Sequence, residues 1–193
     1  MKTCDHSLLG KYILKHTQNT GILYHKNAFL IGCVEPDYNY ITYLRGSLSH
    51  KNLLGHHTTN SSVHIGKIIS RLMTNGIYST YDCFVLGTLI HYISDSFTYP
   101  HTPQFNKPFS QHGKCENRLH RHFAKAVEND IIFSDRDYEN PLSMWNDCQK
   151  KYLSLVPSVS KDIKYILSVC LCTVNLIPIR KPSLNVDFSP IEI

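Results

Sequence analysis

Phe84-Val85-Leu86-Gly87-Thr88-Leu89-Ile90-His91-Tyr92-Ile93-Ser94-Asp95-Ser96-Phe97-Thr98-Tyr99-Pro100-His101 is an apolar run that ends in a group of polar residues able to bind metal. The run reads as a buried helix of about residues 79–98, stopped by Pro100. His91 and Asp95 are four apart, so on a helix they lie one turn apart on one face. His101 follows the proline at once. A second pair at the same spacing, His112 and Glu116, stands eleven residues further on. Imidazole nitrogens and carboxylate oxygens are ligands that zinc accepts, and an i,i+4 pair can aim both at one ion. A single such pair is usually only hydrogen-bonded or solvated. The first pair, however, sits in an apolar helix, where an unpaired carboxylate costs several kcal/mol unless it is neutralised or coordinated.

Composition agrees. Twelve of the 193 residues are histidine, an unusually high share, and His16, His25, His64, His120 and His122 are assigned to the surface. Hydrophobic content is 42%, enough for a packed core in a chain of this length. The net charge of +5 is spread out, with Lys150-Lys151 and Arg180-Lys181 the only basic doublets. That argues against a nucleic-acid-binding stripe and a stable nucleic-acid partner. The seven cysteines (4, 33, 83, 115, 148, 170 and 172) include no CxxC pair and read as reduced, mostly buried thiols. The opening MKTCDHSLLGKYILKH has no apolar signal-peptide core, and no stretch reaches the ~20 apolar residues of a membrane span. Both readings favour the cytoplasm.

The helical period recurs along the chain, over about residues 6–16, 22–34, 61–74, 79–98, 111–130, 142–155 and 159–177. Asp37 is expected in a tyrosine-rich loop after Pro36, and the distal side of that loop carries His50, His56 and His57. No strand pattern, repeat or glycine-rich phosphate loop stands out. The expected fold is all-α: a single-domain multi-helix bundle over 1–177, followed by an extended tail over 178–193.

HYISDSFTYPH followed by His112-Gly113-Lys114-Cys115-Glu116 resembles the signature of the zinc-dependent phospholipase C family. The wider superfamily includes the fungal single-strand zinc nucleases, whose second pair is typically His-xxx-Asp, so Glu116 favours the phospholipase side. The resemblance implies further ligands upstream. His6 fits the N-terminal histidine, Asp37 of Glu35-Pro36-Asp37 fits the family's aspartate, and His57 best fits the distal histidine, with His56 and His50 as rivals. It implies two or three Zn2+ ions: one on His101, His112 and Glu116, one on Asp37, His57, His91 and Asp95, and a third that Asp95 bridges to and His6 helps to hold. The α-amine of Met1 is a further candidate ligand for the third ion. Asp37 is also implied as the catalytic base. The implied function is a metal-dependent phosphodiester hydrolase acting on a phospholipid. A nuclease or nucleotide phosphatase, or a metal-binding protein without turnover, are the alternatives.

Overall fold

The computed structural model describes residues 1–44, 56–129 and 138–180. Seven α-helices lie among them: α1 (Thr3–His16), α2 (Lys26–Tyr38), α3 (Thr58–Asn75), α4 (Thr80–Ser96), α5 (Phe109–Glu128), α6 (Pro141–Ser154) and α7 (Val159–Leu176). Three short 3-10 helices join them, at Thr20–His25, Tyr40–Leu44 and Tyr99–His101, and no strand is present among the described residues. The expected all-α bundle is the observed fold.

The central element is α4. Ser79 caps it by accepting the Asp82 N–H, and the Asp82 carboxylate accepts the Ser79 N–H in return, a capping box that fixes its start. From Leu89 to Thr98 every residue is buried, as expected of a helix that is apolar nearly all round. Its main neighbour is α2. The two helices cross where Gly32 faces Phe84 and Gly87 faces Phe29; a Cβ on either glycine would run into the carbonyl oxygen of the facing residue. The absence of both side chains brings the backbones together, and with them Asp37 and His91. Helix α1 lies across α2 and α5, α3 packs on α4, and α7 closes the bundle against α4, α5 and α6.

Most helix ends lie within three residues of the sequence reading, and the differences that matter are in α2. Residues 20–25 form a 3-10 turn instead of the start of α2. Helix α2 then continues through Pro36 to Tyr38, so Asp37 projects from a helix and not from a loop. A proline in a last turn forfeits only one backbone bond, and the helix survives it. The first residues after α7 run beside Ile77. The Ile77 N–H donates to the Pro178 carbonyl (2.8 Å) and the Arg180 N–H donates to the Ile77 carbonyl (3.1 Å). Gly76 makes this possible with φ of 70°, a left-handed conformation that glycine adopts without strain. The His50 alternative and the tail beyond residue 180 lie outside the described residues.

Candidate metal centre

Asp95 stands at the middle of the site, fully buried in the last turn of α4. Its two oxygens face different groups. Oδ1 lies 2.7 Å from the Met1 α-amine and 3.4 Å from His6 Nε2. Oδ2 lies 3.2 Å from His101 Nδ1, 3.4 Å from His56 Nδ1 and 3.5 Å from His91 Nε2. Asp37 adds Oδ1 at 3.6 Å from His91 Nε2 and 3.7 Å from His56 Nδ1. On the outer side, Glu116 Oε1 lies 3.3 Å from His112 Nε2 and 3.5 Å from His101 Nε2. Every residue of the expected set therefore converges here except His57.

His56 takes the place expected of His57. His57 instead caps α3: its ring Nδ1 accepts the Thr59 N–H and meets the Thr59 hydroxyl at 2.9 Å. Burial holds its pKa below the ordinary value, against the opposing pull of a hydrogen bond to the Thr102 backbone. Two adjacent histidines before a helix cannot both face the core. The second starts the helix, and the first turns inward against Thr42 and His91. Sequence spacing alone does not decide between neighbours.

Three rings have their tautomers set from behind. His91 Nδ1 is 2.9 Å from the Cys33 carbonyl, which can only accept, so Nδ1 carries the proton and Nε2 presents a lone pair. Ser94 donates its hydroxyl to the His91 carbonyl, so its oxygen accepts from His6 Nδ1 at 3.1 Å and leaves His6 Nε2 as the lone-pair nitrogen. Thr42 donates to the Pro36 and Asn39 carbonyls and accepts from His56 Nε2 at 3.0 Å, which leaves Nδ1 facing Asp37 and Asp95. Outer hydrogen bonds of this kind orient the histidines of metal sites. Ser94 and Thr42 were not singled out in the sequence. Ser94 lies three residues after His91 on one helix face and was in principle findable; Thr42 follows from the chain's path alone.

The electrostatics point the same way. Burial pushes the Asp95 carboxyl up, but His101, the terminal amine and His6 outweigh it and hold the group well below the carboxylate range. Burial also works against ionisation of Glu116, and hydrogen bonds from His101 and His112 override it and depress its pKa. His6 is pushed down to about 4, by burial and then by its stacked neighbour His91. The Met1 amine is raised to about 10, because Asp95 and Glu116 (3.4 Å) outweigh burial. The site thus gathers ionised carboxylates with a neutral His6, while at His101 burial is outweighed by Asp95 and Glu116, which raise the pKa of the imidazole; an entering ion displaces a proton there.

The residues fit a metal. His6 Nε2, Asp37 Oδ2, Asp95 Oδ2 and His101 Nδ1 are buried and form no aligned hydrogen bond, although Asp95 Oδ2 and His101 Nδ1 stand at ion-pair distance. Buried polar atoms are rarely left so unless a ligand completes them. Three donor sets are close enough to share an ion: His6 with His91 and Asp95; Asp37 with His56 and His91; His101 with His112 and Glu116.

No described helix is long and apolar enough to cross a membrane. Neither the curated proteins nor the solved structures contain a match to this chain. A family model described as zinc dependent phospholipase C matches residues 5–161, a span that includes every donor above except the Met1 amine. With that match over most of its length, the chain belongs to the zinc-dependent phospholipase C family.

Proposed function

We propose that this protein is a metal-dependent phosphodiester hydrolase that cleaves a phospholipid into diacylglycerol and a phosphorylated headgroup. The observation that carries the reading is the set of four buried donor atoms in and around Asp95 that form no aligned hydrogen bond. His101, His112 and Glu116 hold one ion. Asp37, His56, His91 and Asp95 hold a second. His6 and the Met1 amine, with Asp95, would hold a third. Clustered divalent ions, when bound, neutralise non-bridging phosphate oxygens, acidify water and stabilise charge on the leaving oxygen.

The chain's own residues supply the rest. Asp37 is a half-buried carboxylate with Oδ1 turned to His56 and His91 and Oδ2 free of hydrogen bonds. It is placed to take the proton of an attacking water, the part of a general base. Just beyond it, Tyr38, Tyr40 and Ile41 are exposed by 72%, 83% and 74%. Tyrosine rings and an aliphatic side chain at a site's edge suit a lipid–water interface, where an apolar body and a polar tip are both satisfied. That rim favours a lipid over a polynucleotide.

The test is a panel of phosphatidylcholine, single-stranded DNA and a generic phosphodiester, with protein of known metal content. Diacylglycerol release that chelation abolishes and zinc restores is the expected result. Turnover of DNA without phosphatidylcholine would assign the superfamily's nuclease chemistry instead. No turnover at two or more bound ions would make the protein a metal binder.

A further inference from the structure

A fourth group of metal-binding side chains lies where α1 meets α5, and none of its members belongs to the sets above: Cys4, Asp5 and His120. Cys4 and Asp5 come from the first turn of α1, and His120 from α5, one turn beyond Glu116. Cys4 Sγ is 3.7 Å from His120 Nδ1 and 4.0 Å from Asp5 Oδ1, and His120 Nδ1 is 2.5 Å from Asp5 Oδ1. Around a tetrahedral ion with bonds of about 2.0–2.3 Å, adjacent donor atoms lie about 3.3–3.8 Å apart. Two of the three spacings are close to that range. The third is shortened by a hydrogen bond that an entering ion replaces.

The environment is asymmetric. Asp5 is fully buried, and its other oxygen accepts the Lys2 N–H at 3.3 Å, which fixes the carboxylate. Cys4 is exposed, so the open side of the group faces solvent. One buried ligand, one partly exposed and one exposed describe an exchangeable site at the surface that keeps a place for water or a small external ligand. The mixture of donors also selects. Thiolate and imidazole favour zinc, cadmium or cobalt over magnesium and calcium, which take oxygen.

We propose that Cys4, Asp5 and His120 form a separate thiolate–carboxylate–imidazole site for a zinc-like ion. On binding, the Cys4 thiol releases its proton to solvent. The proton on His120 Nδ1 exchanges through water to Nε2, and Nδ1 coordinates. The occupied site ties the first turn of α1 to α5. These are the segments that carry His6, the Met1 amine and Glu116, so occupancy stabilises the fold increasingly, with the logarithm of free metal above the dissociation constant.

The site has a signature that the others lack, because no other donor set among the described residues contains sulfur. Protein whose remaining sites are filled with zinc is titrated with cobalt or cadmium, and thiolate-to-metal charge-transfer absorption is followed. The expected result is one equivalent of the band in the unaltered protein, no band in Cys4→Ser, and affinity at least tenfold weaker in His120→Gln. Circular dichroism checks that both variants fold. The exposed position of Cys4 makes its substitution mild. Absence of the band in the unaltered protein, an undiminished band in Cys4→Ser, or unchanged affinity in His120→Gln overturns the proposal and leaves Asp5–His120 as a helix-to-helix hydrogen bond. The readout is independent of phospholipid turnover, so it stands or falls apart from the proposed activity.

Discussion

His91 and Asp95 on α4 have no exposed side-chain surface, whereas His112 and Glu116, at the same spacing on α5, keep 23% and 19% of theirs. Spacing sets where the ligands point, and in that respect the pairs are equivalent. Burial sets the consequence of losing the ion. Asp95 is enclosed by the core, and without its partners it is a charge with no access to water. Glu116 can be hydrated. Metal at the inner pair is therefore expected to be coupled to folding, and metal at the outer pair is expected to exchange with the fold unchanged.

The largest effect is expected from Asp95→Asn. Both Asp95 oxygens face donor groups, so the substitution removes metal from more than one site. It also leaves the buried Met1 amine with a weakened counter-charge. Breaking a buried ion pair costs about 3–5 kcal/mol of stability. Several kcal/mol of lost transition-state stabilisation corresponds to a fall in activity of about a thousandfold or more. Elemental analysis and thermal unfolding check this together. Full metal retention in Asp95→Asn would show that it does not bridge.

Glu116→Gln is expected to lose the outer ion alone and to lower the stability of the metal-free protein by less than Asp95→Asn does, since Glu116 keeps 19% of its side chain exposed and Asp95 keeps none. If its unfolding midpoint falls as far as that of Asp95→Asn, the distinction between inner and outer pairs is broken.

The next contrast separates neighbours. His56→Ala is expected to remove metal from the set of Asp37 and His91. His57→Ala is expected to keep the metal and cost about 0.5–2 kcal/mol as a lost helix cap. Metal loss in the second variant and not the first would restore the assignment of His57.

This pair also marks how far the sequence can be read. The two His-xxx-carboxylate pairs were legible because helical period alone puts each pair on one face. His6 and Asp37 were legible through the family pattern. The choice between His56 and His57 depends on where a helix begins, and here one residue reverses the direction of a side chain. The continuation of α2 through Pro36 was missed because a proline is normally read as a stop. The close crossing at Gly32 and Gly87, which brings Asp37 to His91, is a pairing of distant residues that no local pattern contains. Asp5 and His120 were missed for the same reason: they are 115 residues apart.

Asp162 on α7 sharpens the comparison from outside the metal set. Like Asp95 it is buried, but burial pushes its carboxyl up to about 6, against hydrogen bonds from the Tyr152 hydroxyl (2.7 Å) and the Tyr99 N–H. Asp95, surrounded by cations and imidazoles, shifts the opposite way. The folded chain holds the Asp162 proton to higher pH than the unfolded chain, whose value is 3.8. Between those values the native state binds more protons, so this group's contribution to stability falls as pH rises through the window, by up to about 3 kcal/mol. Asp162→Asn is expected to remove that slope. An unchanged difference in stability between pH 4 and pH 7 would show that the group is not shifted upward.

The smallest effect concerns the α-amine, which lies between the two pairs: 2.7 Å from Asp95 of the inner and 3.4 Å from Glu116 of the outer. In the metal-free state it helps to neutralise both, beside His101. An α-amine ordinarily titrates near 8, and here the two carboxylates raise it to about 10. An ion beside Asp95 supplies the charge that the ammonium otherwise provides. It favours release of the amine's proton and frees its lone pair for coordination. Residues fused ahead of Met1 convert the amine to an amide, which can do neither. The extended chain is expected to bind one ion fewer, to keep the His101–His112–Glu116 ion, and to lose activity by about tenfold, equivalent to about 1.4 kcal/mol. Equal metal content and equal activity in the extended and unextended chains would remove the amine from the ligand set and leave two ions, one for each pair.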